Sequence, residues 1–165
     1  MLRMFTRLSL ASVVLMVVAA CGDATTPDAG GDTSPAIDLA SAEGVTVTVH
    51  RTAACECCGV YEDYLEAVGF TVETMVHEDL APIRGDFGVP DDQRSCHTNE
   101  VGGYAAEGHV PAEALLQLLD EAPDISGISL AGMPPGSPGM PGEQTEPFEV
   151  RTFVDGEVVG DLGRF

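Results

Sequence analysis

Three cysteines lie within four positions of this chain, in the sequence Cys55-Glu56-Cys57-Cys58. An alternating run at residues 45–50 precedes them and a helical pattern follows, so we expect the cysteines where a strand passes into a helix. The first amides of a helix lack intrahelical partners and carry a partial positive charge, which favours a thiolate over a thiol. Thiolates bind soft ions such as copper(I) or zinc, and they also attack disulfides. The stretch therefore predicts metal binding or redox chemistry, with a plain structural disulfide as the alternative.

Strand and helix patterns alternate through the first half of residues 44–165. A helix follows the cysteines, and Gly69 is placed to end it. Residues 70–76 predict a second strand, and residues 79–84 a short helical turn. The residues expected to face inward are Val60, Tyr64, Leu65 and Val68 of the helix, and Phe70, Val72 and one of Met75 and Val76 of the strand.

The second half predicts a strand, a helix and a hairpin. Residues 101–107 suggest a third strand, although Gly102 and Gly103 weaken that prediction. Pro111 suits the first turn of a helix that carries four leucines between residues 115 and 119,. Asp155-Gly156 is a strong hairpin signal between residues 148–154 and 157–162. We therefore expect an α/β fold that is thioredoxin-like, with a mixed sheet, flanking helices and a C-terminal β-hairpin.

Two further features support a thioredoxin-like fold. Cys55 and Cys58 form a Cys-x-x-Cys pair at the end of a first strand, where thioredoxin-like proteins place their redox cysteines. The closing segment, 148–157, resembles the last hairpin of that fold, which usually follows a cis-proline that faces the cysteines. Because Gly132-Met133-Pro134-Pro135 occupies the comparable region, we assign Pro134 the part of the cis-proline.

The chain begins with a pattern typical of an export signal. Residues 1–20 contain two arginines, an apolar stretch and small residues directly ahead of Cys21,. Small residues before a cysteine resemble a bacterial lipobox, so we expect Cys21 to be the lipidated first residue of a periplasmic or cell-surface lipoprotein; an ordinary secretory signal is the alternative. Residues 21–43 lack apolar periodicity and predict a flexible tether, which leaves residues 44–165 as one domain.

The charge of the mature chain is strongly negative. Removal of residues 1–20 leaves five basic and 27 acidic residues, a net charge of −22, and the chain contains no lysine. Such a surface repels nucleic acid and anionic lipid headgroups and concentrates cations. We therefore expect no nucleic-acid partner. A compositional bias of the lineage would explain the charge equally well.

Several motifs follow one another in a distinctive order along the chain. They are Cys55-Glu56-Cys57-Cys58-Gly59, Ser95-Cys96-His97-Thr98, Gly103-Tyr104, Glu107-Gly108-His109-Val110-Pro111, and Gly132-Met133-Pro134 through Gly136-Ser137-Pro138-Gly139-Met140. Together they resemble domain-of-unknown-function family 411, which includes the CopG-type periplasmic copper-resistance proteins. Glu56 and Tyr61 depart from the residues that the family more often has.

The resemblance implies an extracytoplasmic copper-binding protein in which clustered cysteines hold a multinuclear copper centre. Copper(I) accepts two or three thiolates, and thiolates bridge ions, so four sulfurs can hold more than one ion. We expect the neighbours Cys57 and Cys58 to diverge, and Cys96 to close the cluster. The candidate metal ligands are Cys55, Cys57, Cys58, Cys96, His97, His109, Met133 and Met140.

The imidazoles and thioethers each have an alternative to metal ligation. His97 and His109 are equally compatible with direct ligation and with a supporting or exposed position. Met133 and Met140 are more often loop hydrophobes than ligands. His50 and His77 each close a strand, and we expect both at the surface.

We therefore predict copper binding in copper homeostasis or resistance, with other extracytoplasmic copper-handling proteins as partners. A thiol–disulfide oxidoreductase that uses Cys55 and Cys58 is the main rival, although Cys57 and Cys96 are surplus to that chemistry. A structural zinc site is a further alternative, but the usual paired Cys-x-x-Cys knuckles are missing. Whether the protein is an enzyme acting on copper or thiols is left open.

Overall fold

The structure is a computed structural model, and it describes residues 38–165. The predicted export signal, Cys21 and most of the predicted tether lie outside the described residues. Within residues 38–165, every helix is too short or too polar to span a bilayer.

Strands and helices alternate along residues 46–86, as the sequence patterns predict, and strands predominate in the second half. Two short 3-10 helices lie at Leu39–Ala42 and Asp91–Gln93. The other elements are β1 (Thr46–Thr52), α1 (Glu56–Val68), β2 (Thr71–His77), α2 (Ala81–Asp86), β3 (His97–Val101), β4 (Tyr104–Gly108), α3 (Ala112–Glu121), β5 (Gly127–Leu130), β6 (Glu149–Val154) and β7 (Glu157–Arg164).

The seven strands form one mixed sheet in the order β2-β1-β3-β4-β5-β6-β7. The pairs β1–β2 and β4–β5 are parallel, and the other neighbours are antiparallel. The mixed α/β fold and the C-terminal hairpin, β6–β7, are therefore confirmed. The thioredoxin-like topology stays a prediction.

The predicted third strand, 101–107, has the wrong bounds, because residues 97–108 form two strands. β3 and β4 pair antiparallel and are joined by Gly102 and Gly103. Both glycines have positive φ, 58° and 88°. Tight hairpin turns require positive φ, which costs glycine little. The two glycines are thus the turn itself rather than a weakness within one strand.

The connection between α3 and β6 also differs from its prediction. It contains β5, a buried four-residue strand that the sequence analysis does not predict. The assignment of Pro134 as a cis-proline is wrong, because residues 38–165 contain no cis peptide bond. The strand that pairs with β1 is β3, and the residues directly before it are Ser95-Cys96.

Helices α1 and α3 share one hydrophobic core with one face of the sheet. Val47 and Val49 of β1 are fully buried against Leu65 of α1 and Leu115 of α3. A smaller cluster on the other face consists of Phe87, Val89, Ala105 and Phe153. Both faces are therefore covered over the central strands.

Two of the predicted inward positions are wrong, that of Val60 and that of one of Met75 and Val76. Val60 of α1 is 54% exposed, and the adjacent Tyr61 is buried in its place. Met75 and Val76 are 50% and 57% exposed. β2 is the edge strand of the sheet, so alternation along it does not lead to burial,.

Replacing Gly127 with alanine is expected to destabilise the fold. A Cβ atom there would lie 2.2 Å from the carbonyl oxygen of Ala105 and 2.7 Å from the Phe153 ring. Because the backbone of β4 cannot move easily, we expect a loss of about 1–3 kcal/mol or more in the free energy of unfolding, measured by urea denaturation. Gly85→Ala within α2 is the control, since nothing lies within 4 Å of its Cβ position. Equal effects of both substitutions would contradict the close approach of β4 and β5.

Candidate metal centre

The strand-to-helix junction places three cysteines at one end of the sheet, as the sequence predicts. Cys55 is the N-cap residue of α1, and Cys57 and Cys58 lie in its first turn. β3 runs antiparallel to β1, with His97 opposite Arg51. The start of β3 therefore lies beside the end of β1, and this pairing brings Cys96 and His97 to the cysteines of α1.

The four cysteine sulfurs all lie within 4.8 Å of one another. Cys55 and Cys58 form a disulfide, while Cys57 and Cys96 are free. The Cys57 sulfur lies 3.7 Å from the sulfurs of both Cys55 and Cys96. The expected divergence of Cys57 and Cys58 is wrong, because the first helical turn lets both side chains reach the same cluster.

Two imidazoles extend the sulfur cluster. Nδ1 of His97 lies 3.2 Å from the sulfur of Cys58 and 3.2 Å from that of Cys96. Nε2 of His109 lies 3.1 Å from the Cys96 sulfur. Cys96, His97 and His109 thus form a second donor group within 4.8 Å, and Cys96 belongs to both groups.

The long loop between β5 and β6 fixes the orientation of His109. Nδ1 of His109 lies 2.6 Å from the carbonyl oxygen of Pro138. Because a carbonyl only accepts hydrogen bonds, Nδ1 must be the protonated nitrogen, and Nε2 of the neutral ring directs its lone pair at Cys96. Gly139 lets the loop come this close, since a Cβ there would lie 2.8 Å from the Tyr61 amide nitrogen.

The aromatic ring of Tyr61 packs against both imidazoles. Its fully buried ring lies 4.7 Å from the His97 ring and 5.3 Å from the His109 ring, centroid to centroid. Its hydroxyl donates to the carbonyl oxygen of Val110 at 2.9 Å. The side chain therefore ties α1 to the segment that carries His109.

Burial keeps the imidazoles neutral and the Cys96 thiol protonated in the metal-free protein. Burial, followed by the charge of His109, lowers the pKa of His97 to about 3. Burial also lowers the pKa of His109, against the opposing hydrogen bond to Pro138. Burial, followed by the adjacent Cys57 thiol, raises the pKa of Cys96 to about 12. A cation that displaces the thiol proton would neutralise the buried Cys96 thiolate and so remove the free-energy cost of burying its charge.

A buried ion pair beneath the site holds the segment that carries Cys96. Glu107 of β4 is fully buried and accepts hydrogen bonds from the Arg84 side chain at 3.0 Å and from the Ser95 amide at 2.7 Å. Arg84 also donates to the Ser95 carbonyl. Thr98 of β3 donates to the other carboxylate oxygen of Glu107. The residues on both sides of Cys96-His97 are therefore fixed to one carboxylate.

The two candidate methionines lie in the loop between β5 and β6. Met133 is 36% exposed and has a left-handed backbone, with φ 48°. Met140 is half-buried and lines a cavity of about 570 Å³ that Pro138 and Tyr64 also line. Ligation by either methionine stays a prediction.

The structure brings together the sulfurs and imidazoles that the sequence selects, but sequence reasoning misses the residues that support them. Glu107 has no predicted role beyond its place in a family motif, and the Pro138 carbonyl cannot be identified from a pattern of side chains. The buried position of Tyr61 is missed because Val60 is predicted to face inward at the start of the same helical face. A lone acidic residue within an otherwise apolar strand, Ala105-Ala106-Glu107, was the available signal for the buried carboxylate.

Comparison with known proteins agrees with these motifs. A family model described as "Protein of unknown function, DUF411" matches residues 93–140. Two solved structures, named copper resistance protein CopG form 1 and form 2, are 37% and 38% identical to this chain, with TM-scores of 0.66 and 0.67. The matches cover 73% and 74% of this chain and 97% and 99% of the CopG chains.

The chain belongs to the DUF411 family. No curated protein matches it significantly. The family match includes Cys96, His97, His109 and Pro138, so it covers the imidazole side of the site. The structural matches extend over most of the described DUF411 domain.

Replacing Arg84 with leucine is expected to destabilise the domain and loosen Cys96. The change leaves the buried Glu107 carboxylate without its cation, which typically costs about 3–5 kcal/mol. Urea denaturation measures this loss, and alkylation of Cys96 in the folded protein should become faster. Arg151→Leu is the matched control, because it removes the exposed Arg151–Asp161 pair and should cost less than about 1 kcal/mol,. An Arg84→Leu variant as stable as this control would contradict the role of the Arg84–Glu107 ion pair in holding the segment that carries Cys96.

Proposed function

We propose that this chain is an exported, lipid-anchored protein that binds copper(I) on its clustered cysteines and serves copper homeostasis or resistance. The observation that carries the proposal is the convergence of four sulfurs and two imidazoles on one end of the sheet. Two overlapping donor groups that share Cys96 fit more than one ion, because each copper(I) needs only two or three ligands and a thiolate can bridge two ions.

The chemistry of the donors favours copper(I) over harder ions. The sulfur group consists of four cysteines and includes no carboxylate. Soft sulfur donors select copper(I), zinc or iron–sulfur clusters. Membership of the same family as two copper resistance proteins supports copper among these. The net charge of −22 in the mature chain adds a field that attracts cations,.

The proposed site requires reduction of the Cys55–Cys58 disulfide before all four sulfurs can bind. A disulfide sulfur is not a thiolate, and the thiolate is the metal ligand. The oxidised chain retains Cys57, Cys96, His97 and His109 as free donors. Copper capacity is therefore expected to depend on the redox state of the chain.

Copper(I) loading of the reduced full chain, under anaerobic conditions, tests the proposal. Native mass spectrometry should show several copper ions that arrive together, and titration with zinc serves as a comparison. Cys96→Ser should lose the ions together because Cys96 belongs to both donor groups, and Cys57→Ser should sharply lower the copper count. Cys21→Ser is the matched control, since it removes a cysteine outside the described residues and should keep the full count.

Other results of the same titration would favour other functions. One firmly held zinc, with no copper beyond one equivalent, would support the structural zinc site instead. Copper counts that are equal in Cys57→Ser, Cys96→Ser and the wild type would refute the shared cluster.

Thiol–disulfide exchange is a second candidate function, and the Cys55–Cys58 disulfide is the observation that favours it. The disulfide closes a Cys-x-x-Cys loop at the start of a helix, where thiolates are stabilised. This function needs only Cys55 and Cys58, so a Cys57→Ser variant would keep full disulfide reductase activity while losing copper. The position of free Cys57, 3.7 Å from the Cys55 sulfur, also permits exchange within the chain.

The lipid anchor is a separate part of the proposal and has its own test. In a bacterial host that processes lipoproteins, the wild type should fractionate with membranes, because acylation of Cys21 would bind the chain to the bilayer. Cys21→Ser should appear in the soluble extracytoplasmic fraction, measured by immunoblotting. Continued membrane association of that variant would contradict lipidation at Cys21.

A further inference from the structure

A pair of histidines lies on the face of the sheet opposite the cysteine cluster. Val49, Arg51 and His97 share the face covered by α1, whereas His50 alternates with them on β1 and points to the other face,. His77 closes the adjacent parallel strand, β2, on the same face as His50. The expectation that both histidines lie at the surface is wrong for His50, which is only 8% exposed, while His77 is half-buried.

The two imidazoles face each other through one nitrogen each. Nδ1 of His50 lies 3.0 Å from Nε2 of His77, with ring centroids 5.2 Å apart. Two imidazole nitrogens that bind one metal ion, each about 2.0–2.1 Å from it, are roughly 2.9–3.4 Å apart. The observed separation thus suits either a proton shared by two neutral rings or one metal ion held by both.

The second nitrogen of His50 is buried without a hydrogen-bond partner. Nε2 of His50 is fully shielded from solvent, and its nearest charged neighbour is a carboxylate oxygen of Glu100 at 3.8 Å. Glu100 lies two residues beyond Thr98, the partner of His50 on β3, and its side chain is 46% exposed. A rotation of this half-exposed side chain would bring the carboxylate within hydrogen-bonding distance of Nε2–H, the arrangement that orients metal-binding histidines.

His50 is neutral in this environment, so its lone pair is available. Burial, followed by the neighbouring His77, lowers the pKa of His50, and Glu100 opposes this shift only in part. With Nε2 protonated towards Glu100, the free lone pair is on Nδ1, which is the nitrogen that faces His77.

We propose that His50 and His77 form a second metal site, for a divalent transition-metal ion, in which Glu100 orients His50. Imidazole and carboxylate groups are the donors that suit divalent copper, nickel and zinc, and copper(II) binds such sites most tightly of these. The site differs in chemistry from the sulfur cluster, which suits copper(I). It shares no residue with that cluster, so it stands or falls independently of the proposed function.

Copper(II) binding to the full chain with its free thiols blocked by N-ethylmaleimide tests this site. The unreduced, alkylated protein should bind copper(II), and the component of its electron paramagnetic resonance spectrum that comes from the His50–His77 site should show coupling to two imidazole nitrogens and should be lost in His77→Gln, which leaves His97 and His109 in place. His77→Gln should weaken binding at least tenfold because it removes a ligand. Glu100→Gln should weaken it about 10–100-fold, as loss of an orienting carboxylate does at other metal sites. Glu66→Gln, which removes an exposed carboxylate on α1, should leave binding unchanged.

A measurement on the wild type avoids dependence on the variants. Zinc added to the thiol-blocked chain should shift the imidazole resonances of His50 and His77 together at one equivalent, in nuclear magnetic resonance spectra. Unshifted resonances, or copper(II) affinity that is equal in His77→Gln and Glu66→Gln, would show that the two rings share only a proton and would overturn the proposal.

Discussion

The antiparallel pairing of β1 with β3 is the constraint on which the site depends. Cys57 and Cys96 are 39 residues apart in the chain, and no local structure could bring them together. The register that sets His97 opposite Arg51 places the start of β3 beside the residues that lead into α1. A shift of one residue would turn His97 to the other face of the sheet, away from the sulfurs, because successive side chains point to opposite faces.

Buried polar groups secure this register from the two sides of the sheet. On one face, Tyr61 and the Pro138 carbonyl fix His109 and support His97. On the other face, the Glu107 carboxylate binds Arg84, the Ser95 amide and the Thr98 hydroxyl. A buried ion pair adds little net stability by comparison with an apolar replacement, but its directional hydrogen bonds limit the positions that the segment can take. Glu107 therefore acts mainly by fixing the position of Cys96, because no strand directly precedes Cys96 in the chain.

The sequence predicts individual helices and strands better than it predicts which strands pair with one another. Period-two and helical patterns identify β1 and α1, because each buries one face against the core, and the Asp155-Gly156 turn signal identifies the β6–β7 hairpin,. β5 escapes detection because four buried residues carry too little periodicity to distinguish a strand,. Two adjacent glycines suit a tight hairpin, so Gly102-Gly103 carries a turn signal that the prediction of one longer strand overlooks.

Local sequence patterns likewise predict several residues of the candidate site but not their arrangement in space. Cysteine spacing predicts a sulfur site, since Cys55, Cys57 and Cys58 follow one another at a helix start. The position of Cys96 beside them required the topology, although the motif resemblance suggested it. His50 reads as a surface histidine because burial on the second face of the sheet depends on β2 and β3 rather than on its own strand. Long-range pairing is thus the information that local patterns do not contain.

The Cys55–Cys58 disulfide and the proposed copper cluster compete for the same sulfur atoms. The disulfide removes two of the four thiols from the sulfur group, but it takes nothing from the group formed by Cys96, His97 and His109. Oxidation therefore changes the character of the site as well as its capacity, because it shifts the available donors from mainly sulfur towards nitrogen. Sulfur-rich sites favour copper(I), whereas imidazole also suits copper(II). In the proposed function, the redox state of one disulfide would thus set both how much copper the site holds and which oxidation state it favours.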